Sequence, residues 1–356
     1  MGPKRDGAPP VCEPGAELVD EGKRLACKKG GQYHGPMTLW FPSGKRESEL
    51  QFVDGLLHGP EVRWYESGQK ASEGAWDMGK ATGTWLYWHP NGNKQAEGIR
   101  IAGKHEGTWR YWHPNGQLEE VSSFIDGEKT GQSVYYFDTG QKRLEVNYVL
   151  GKEEGEMQEW YPTGKPAWKA QMVGGKREGL ATDYHENGQK RSEGEYLGGI
   201  QIGHWTVWWP DGSKSSEGET KFGKKYGLWT EYHPNGKKAL ETFYEDGLRN
   251  GPTKHWYENG NLAWTGNNKD EKSDGPWTYY EFETGAKTSE GKWTSGQPDG
   301  HWLYWEKGRL IRESDFNLGR PCGLWKCRAL DGAPIACPAP PESCKPTLDG
   351  ADCGTC

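Results

Sequence analysis

The residues to weigh first for chemistry are histidines and glutamates that recur in one local setting. His89, His113, His185 and His233 each stand three residues before a glycine, in His-Pro-Asn-Gly or His-Glu-Asn-Gly. Glu73, Glu97, Glu193 and Glu217 follow such glycines at constant spacing. A metal needs its ligands in one coordination sphere, and acid–base catalysis needs two groups set apart by their surroundings. These side chains recur a whole repeat apart, so histidines of adjacent units fall about 10 Å from one another. They read as turn-flanking aromatics, interchangeable with Tyr65 or Trp209. No phosphate-binding loop, G-x-S-x-G, H-E-x-x-H or EF-hand sequence is present. The expectation is a protein that is not an enzyme, with no cofactor and no metal.

The cysteines are the second candidates. Cys12 and Cys27 lie near one end, and Cys322, Cys327, Cys337, Cys344, Cys353 and Cys356 lie near the other. Even numbers in short Pro- and Gly-rich segments predict one disulfide at the N-terminus and three at the C-terminus, with the pairing of the six open. The alternative is zinc, with Cys353 and Cys356 at ligand spacing and Cys322 with Cys327 as a looser pair. Against it, six cysteines leave two over. Disulfides imply an extracytoplasmic location, whether periplasmic, cell-surface or secreted. The start, MGPKRDGAPP, shows no signal peptide, and no apolar run approaches the roughly 18 residues of a membrane span.

These residues are positioned by a repeat. Glycines stand at 35, 59, 83 and every 24 residues to 275, then at 300 and 323, so twelve units fill residues 35–322. Segments 1–34 and 323–356 read as caps. Counting each first glycine as offset 0, offset 5 is always aromatic, as in Trp88 and Trp112. Offset 2 is tryptophan in six units. Offsets 6–9 spell HPNG or a variant, which fits a type I turn closed by a left-handed glycine. Offsets 1–6 and 10–18 become two strands, and a second glycine turn near offset 20 leads to the next hairpin. If offset 6 pairs with 10, then 5 faces 11 and 2 faces 14. Lysine or arginine at offset 11, such as Lys94, would then cover the aromatic at 5 of its own hairpin. Parity puts offsets 5, 11 and 13 on one face and 2, 4, 6 and 14 on the other. The invariant offset-5 ring, Trp112 for example, is expected to be the buried one that holds neighbouring hairpins together.

Composition agrees with a thin β array. The chain has 356 residues with 53 glycines, 20 tryptophans and 17 tyrosines, but only 33% hydrophobic residues. That excludes helical bundles and Rossmann-type sheets, and leaves Trp and Tyr to supply the apolar surface. A net charge of −7, with 44 basic residues mixed among 51 acidic ones, gives no field for nucleic acid.

The pattern G-x-W-x-x-[WY]-x-x-N-G-x-x-x-x-E-G-x-x-x-x-G resembles the MORN repeat (membrane occupation and recognition nexus). It is closer to the bacterial variant of YwqK-type antitoxin proteins, which units 83–106 and 179–202 follow along their length. The resemblance implies an elongated, twisted array of stacked hairpins, so that with the cysteine-bearing ends the expected fold is an all-β, elongated, single-layer twisted antiparallel sheet of tandem hairpins with disulfide-rich caps. It also implies a binding or scaffolding role, with no chemistry. The expected partner is a protein, met by a face of Trp85, Tyr87, Trp109, Tyr111, Trp205, Trp229, Trp277, Tyr279, Trp302 and Tyr304. Glutamates at offset 14 would form its acidic rim. A cell-wall glycan is the alternative partner, and an antitoxin-like role the third reading.

Overall fold

A computed structural model describes residues 4–337. The described chain is all β, with thirty strands paired antiparallel, mostly with the next strand in sequence; the two-residue strands Leu56–Leu57 and Lys272–Ser273 pair only with the strand before them. No helix among the described residues is long and apolar enough to cross a membrane. The chain forms two units, residues 1–176 and 177–356. In the first, strands run from Glu17–Asp20 to Pro166–Val173; in the second, they run on to Pro334–Ile335.

Each hairpin closes as its residues dictate. In unit 83–106 the N–H of Gly92 donates to the His89 carbonyl at 2.8 Å, and His89 N–H donates to Asn93 at 2.8 Å. Only Gly92 of this loop has positive φ, so the turn is type I with a glycine bulge, and offset 6 pairs with 10 as expected. The second turn is tighter: Ala102 and Gly103 both have positive φ, 50° and 89°, the signature of a type I′ connection. Gly103 N–H reaches back to the Ala81 carbonyl at 2.8 Å, tying this turn to the previous one.

The register corrects the expected faces. Trp88 pairs with Lys94, as expected, but Tyr87 then pairs with Ala96, leaving Gln95 as an extra residue. One bulged residue reverses the alternation beyond it. Trp85 therefore faces Gly98 and Leu86 faces Glu97. Offset 2 pairs with 15, not 14. Offset 13 joins the tryptophan face, and the offset-14 glutamate moves to the other.

A second irregularity bends every unit. Between the pairs Glu73–Leu86 and Ala75–Thr82, three residues, Gly83, Thr84 and Trp85, oppose the single Gly74. Gly83 takes φ 69°, which a side chain would strain. The bend lays the Trp85 indole on Gly74 of the preceding hairpin, where a Cβ would come within 2.3 Å of the ring. Trp109 sits on Gly98 in the same way, at 2.2 Å. Its indole N–H donates to the Ile99 carbonyl at 3.0 Å. Trp76, Ala81, Tyr87, Ala96, Tyr111 and Phe124 complete the core around these two indoles. The second unit repeats the socket with Trp205 on Gly194, Trp229 on Gly218, Trp277 on Gly266 and Trp302 on Gly291.

Where offset 2 is not tryptophan, the residue it meets on the preceding hairpin is no longer glycine. Ser133 bonds Ser122 at 2.7 Å, Thr253 bonds Thr242 at 2.7 Å, and Met157 pairs with Val146. The six offset-2 tryptophans are only 1–6% exposed, whereas Trp112 is half-buried. The expectation that offset-5 rings form the buried contact is thus overturned. The socket needs the smallest residue opposite the largest, and only offset 2 meets one.

The N-terminal cap imitates a missing repeat. Trp40, at offset 5 of the first unit, is 3% exposed. The Arg5 guanidinium lies 5.0 Å over its ring, and its indole donates to the Asp6 carbonyl at 2.8 Å. Arg5 is itself held by Asp20 at 2.8 Å. A Cys12–Cys27 disulfide fastens the segment. At the other end Cys327 bonds Cys337, and Cys322 is buried. The expectations for Cys344, Cys353 and Cys356 lie outside the described residues.

Four outcomes follow from this packing. Trp109→Ala should cost about 3–5 kcal/mol, and the half-buried Trp112→Ala distinctly less, in urea unfolding followed by hydrogen exchange. Gly98→Ala should cost about 1–3 kcal/mol by overpacking, yet little in a Trp109→Ala background; equal costs in both backgrounds would dissolve the socket. His105 stacks on Trp109 at 3.8 Å, and burial, then Arg100, lowers its pKa. Its stabilising effect is complete above about pH 6.5 and is lost as pH falls through the lower folded value. Protection factors at residues 105–111, corrected for the pH dependence of intrinsic exchange, should therefore fall between pH 7 and 5, and His105→Phe should blunt that change. Reducing Cys12–Cys27 should speed exchange in residues 4–40 while sparing residues 83–125, because stability in stacked repeats is local.

Candidate functional site

The residues expected to form an aromatic docking face are together but inside. In the first unit Trp85, Tyr87, Trp109 and Tyr111 follow one another at centroid distances of 5.9, 6.4 and 6.0 Å. In the second unit Trp277, Tyr279, Trp302 and Tyr304 do so at 6.1, 6.3 and 6.3 Å. Trp205 meets Tyr196 at 5.4 Å, and Trp229 is covered by the Lys225 ammonium at 4.3 Å. All six tryptophans are buried, and the four tyrosines are half-buried. Burial raises the Tyr111 pKa to about 12 and also raises that of Tyr279. The expected exposure of this indole row is corrected: the bend at offset 0 folds each hairpin over its neighbour's tryptophan. Its acidic rim is corrected too, because the bulge sends the glutamates to the opposite face.

That opposite face carries a charged and aromatic weave between neighbouring repeats. Lys94 lies 5.1 Å over Trp112, the ring of the next unit rather than its own. Lys190 covers Trp208 at 5.7 Å, and Lys287 covers Trp305 at 5.0 Å. Each lysine also pairs with the glutamate three residues on: Lys94 with Glu97, Lys190 with Glu193 and Lys287 with Glu290, at 2.7, 2.6 and 2.7 Å. Glu217 is held below the usual carboxylate range by hydrogen bonds from Lys214 and then Tyr232. Carboxylates so occupied, and repeated, offer no distinct acid or base.

The histidines are ladder rungs. Nε2–H of His89 donates to the Trp112 carbonyl at 2.7 Å, His113 to Tyr136 at 3.0 Å, His185 to Trp208 at 2.9 Å and His233 to Trp256 at 2.8 Å. Tyr65 makes the same bond to Trp88 through its hydroxyl at 2.7 Å, which explains why the two residue types interchange. Asn91 and Asn115 add parallel rungs to the carbonyls of Pro114 and Asp138, at 2.6 and 2.7 Å. Among the described residues no group of three or more His, Cys, Asp or Glu is placed to hold a metal.

The surface that sequence reasoning missed lies beside the type I′ turns. At offset 18 of four successive units of residues 1–176 stand Ile101, Ile125, Val149 and Val173, all 50–61% exposed. Lys104, Glu128 and Lys152 pair with the first three across the turn. Leu150 is exposed beside them. The signal was present as aliphatic residues at a 24-residue spacing, a position where several other units carry Asp77, Lys221 or Glu245 and where Val53 and Leu197 are also aliphatic.

Comparison with known proteins bears on this arrangement. No curated protein matches the chain. Among solved structures, a chain of the GtfA/B complex bound to UDP and GlcNAc is 10% identical, with 41% of this chain and 26% of that one covered and a TM-score of 0.14. TcdB2-TccC3 is 10% identical, with 87% and 23% covered and a TM-score of 0.15. This chain therefore spans about a quarter of the length of those two. Choline binding protein F from Streptococcus pneumoniae is 15% identical, with 91% and 94% covered and a TM-score of 0.14. Likeness at these scores carries no argument. Residues 33–54, 81–99, 106–126, 177–197, 225–246 and 249–263 match the MORN repeat variant family. These segments contain turn glycines, offset-5 aromatics and several of the socketed tryptophans described above, so the chain carries MORN-variant repeats in these six segments.

Proposed function

We propose that this protein is a non-enzymatic interaction module that docks a protein partner on the aliphatic row Ile101, Ile125, Val149 and Val173. The observation that carries the reading is that row's exposure in four successive units. Exposed aliphatic side chains that recur at one position of successive repeats suit a surface that a partner covers. The alternating Lys104, Glu128 and Lys152 supply the polar surround typical of an interface rim. Half-committed chemistry is absent from the repeating side chains: the glutamates are ion-paired to lysines, and the histidine N–H groups are bonded to carbonyls. The disulfides Cys12–Cys27 and Cys327–Cys337 support an oxidising, extracytoplasmic setting.

A photo-crosslinking amino acid placed at Ile125 or Val149, with exposed Glu119 as the control site, tests the reading in extract of the source organism. One protein crosslinked from both row positions and not from Glu119 is the expected result. Ile125→Asp with Val149→Asp should abolish that product while leaving the β signal intact. No crosslinked protein from either row position would sink the proposal.

A further inference from the structure

We infer that the repeats joining Ser133 and Met157 carry a cleft for an uncharged saccharide, on the face away from the tryptophan sockets. It stands independently of the aliphatic row. The cleft encloses about 300 Å³ between Gln132, Glu145, Asn147, Glu156, Gln158 and Trp160. The strand Lys142–Val149 runs through it, with Glu128–Tyr136 on one side and Lys152–Trp160 on the other. Register sets Gln132 opposite Asn147 and Glu145 opposite Gln158. Two cross-strand pairs thus present three amides and a carboxylate along one short stretch. The Val146 backbone runs along the floor, while its side chain meets Met157 on the opposite face of the sheet.

The same positions in the preceding hairpins hold different chemistry. In unit 83–106 the first pair is Thr84 with Ile99, and the second, Glu97 with Arg110, is cation-filled. In unit 107–130 the pairs are Thr108 with Ser123 and Val121 with Val134. Only here, among the pairs of residues 83–160, do amides stand on both rungs.

Amides that both donate and accept, beside carboxylates that only accept, match vicinal hydroxyl groups. Glu145 already accepts from Lys142 at 2.6 Å and from Gln132, and Glu156 accepts from Lys169 at 2.8 Å. Each carboxylate has about four lone-pair sites, so acceptor capacity remains for hydroxyls. Two carboxylates in the lining disfavour an acidic sugar by like-charge repulsion. Trp160, steadied by the Lys142 ammonium at 5.7 Å, gives an apolar wall for the C–H face of a sugar ring. The volume is at the lower end of ligand clefts and suits one or two sugar rings at a time.

The test is calorimetric titration of the full chain with cellohexaose, maltohexaose, xylohexaose and N-acetylchitohexaose, with trigalacturonic acid as the anionic control. At least one neutral oligosaccharide should bind saturably and the acid should not. Asn147→Ala with Gln158→Ala should weaken that binding by about tenfold or more. Thr108→Ala with Ser123→Ala, two positions of the cleft transposed to the preceding hairpin, should leave it unchanged. Exposed Gln132→Ala repeats the test if the first double variant does not fold. The inference is overturned if none of the four neutral sugars binds, if the cleft variants bind as before, or if the acid binds best.

Discussion

Everything in these repeats depends on an indole seated on a glycine of the hairpin before it. Burying a tryptophan within a sheet of hairpins demands a place where another backbone can approach the ring face. A Cβ at Gly98 would stand 2.2 Å from the Trp109 ring, so the large residue and the missing side chain are one requirement. The pairing holds at all six offset-2 tryptophans within the twelve units. Where the knob is lost, the hole is filled by a serine, threonine or valine that meets its counterpart. The chain thus records compensated exchanges, each conserving contact across the repeat boundary.

The opposite face solves a different problem with longer side chains. Its offset-5 rings cannot be buried by a second layer, and lysine stems from the preceding unit cover them while glutamates hold the ammonium groups. Individually such exposed pairs are worth little. Their value is in repetition, because each lysine touches the next hairpin and so adds to the interface between units. Arg5 extends the same device beyond the first repeat, covering Trp40 where no preceding unit exists. A terminal hairpin would otherwise expose an indole and an open strand edge.

With both faces occupied by contacts between repeats, the two surfaces proposed for binding lie where the weave is interrupted. The aliphatic row interrupts it beside the type I′ turns, and the amide-lined cleft interrupts it where the tryptophan sockets lapse. Both occur in residues 1–176, and both depart from the residue types that several other repeats carry at the same offsets. Departure from a period is the useful signal in such a chain, since what recurs serves the stacking itself.

Period, hairpins, the first turn and the cysteine-bearing ends were legible in the sequence, because each depends on neighbours a few residues apart. HPNG needs only its own φ preferences to close at Gly92, and Cys12 and Cys27 needed only a short loop. The faces were not legible. They turn on one extra residue at Gln95 and on the bend at Gly83, and nothing local requires either. The bulge reverses parity, so Trp85 meets Gly98 rather than Glu97, and counting alternate residues gave the wrong buried ring. The tryptophan–glycine correspondence was in the sequence throughout, at a separation of eleven residues, as between Gly98 and Trp109. Only the packed hairpins showed that these positions touch, because the contact is made between repeats and a single hairpin has no partner to make it with.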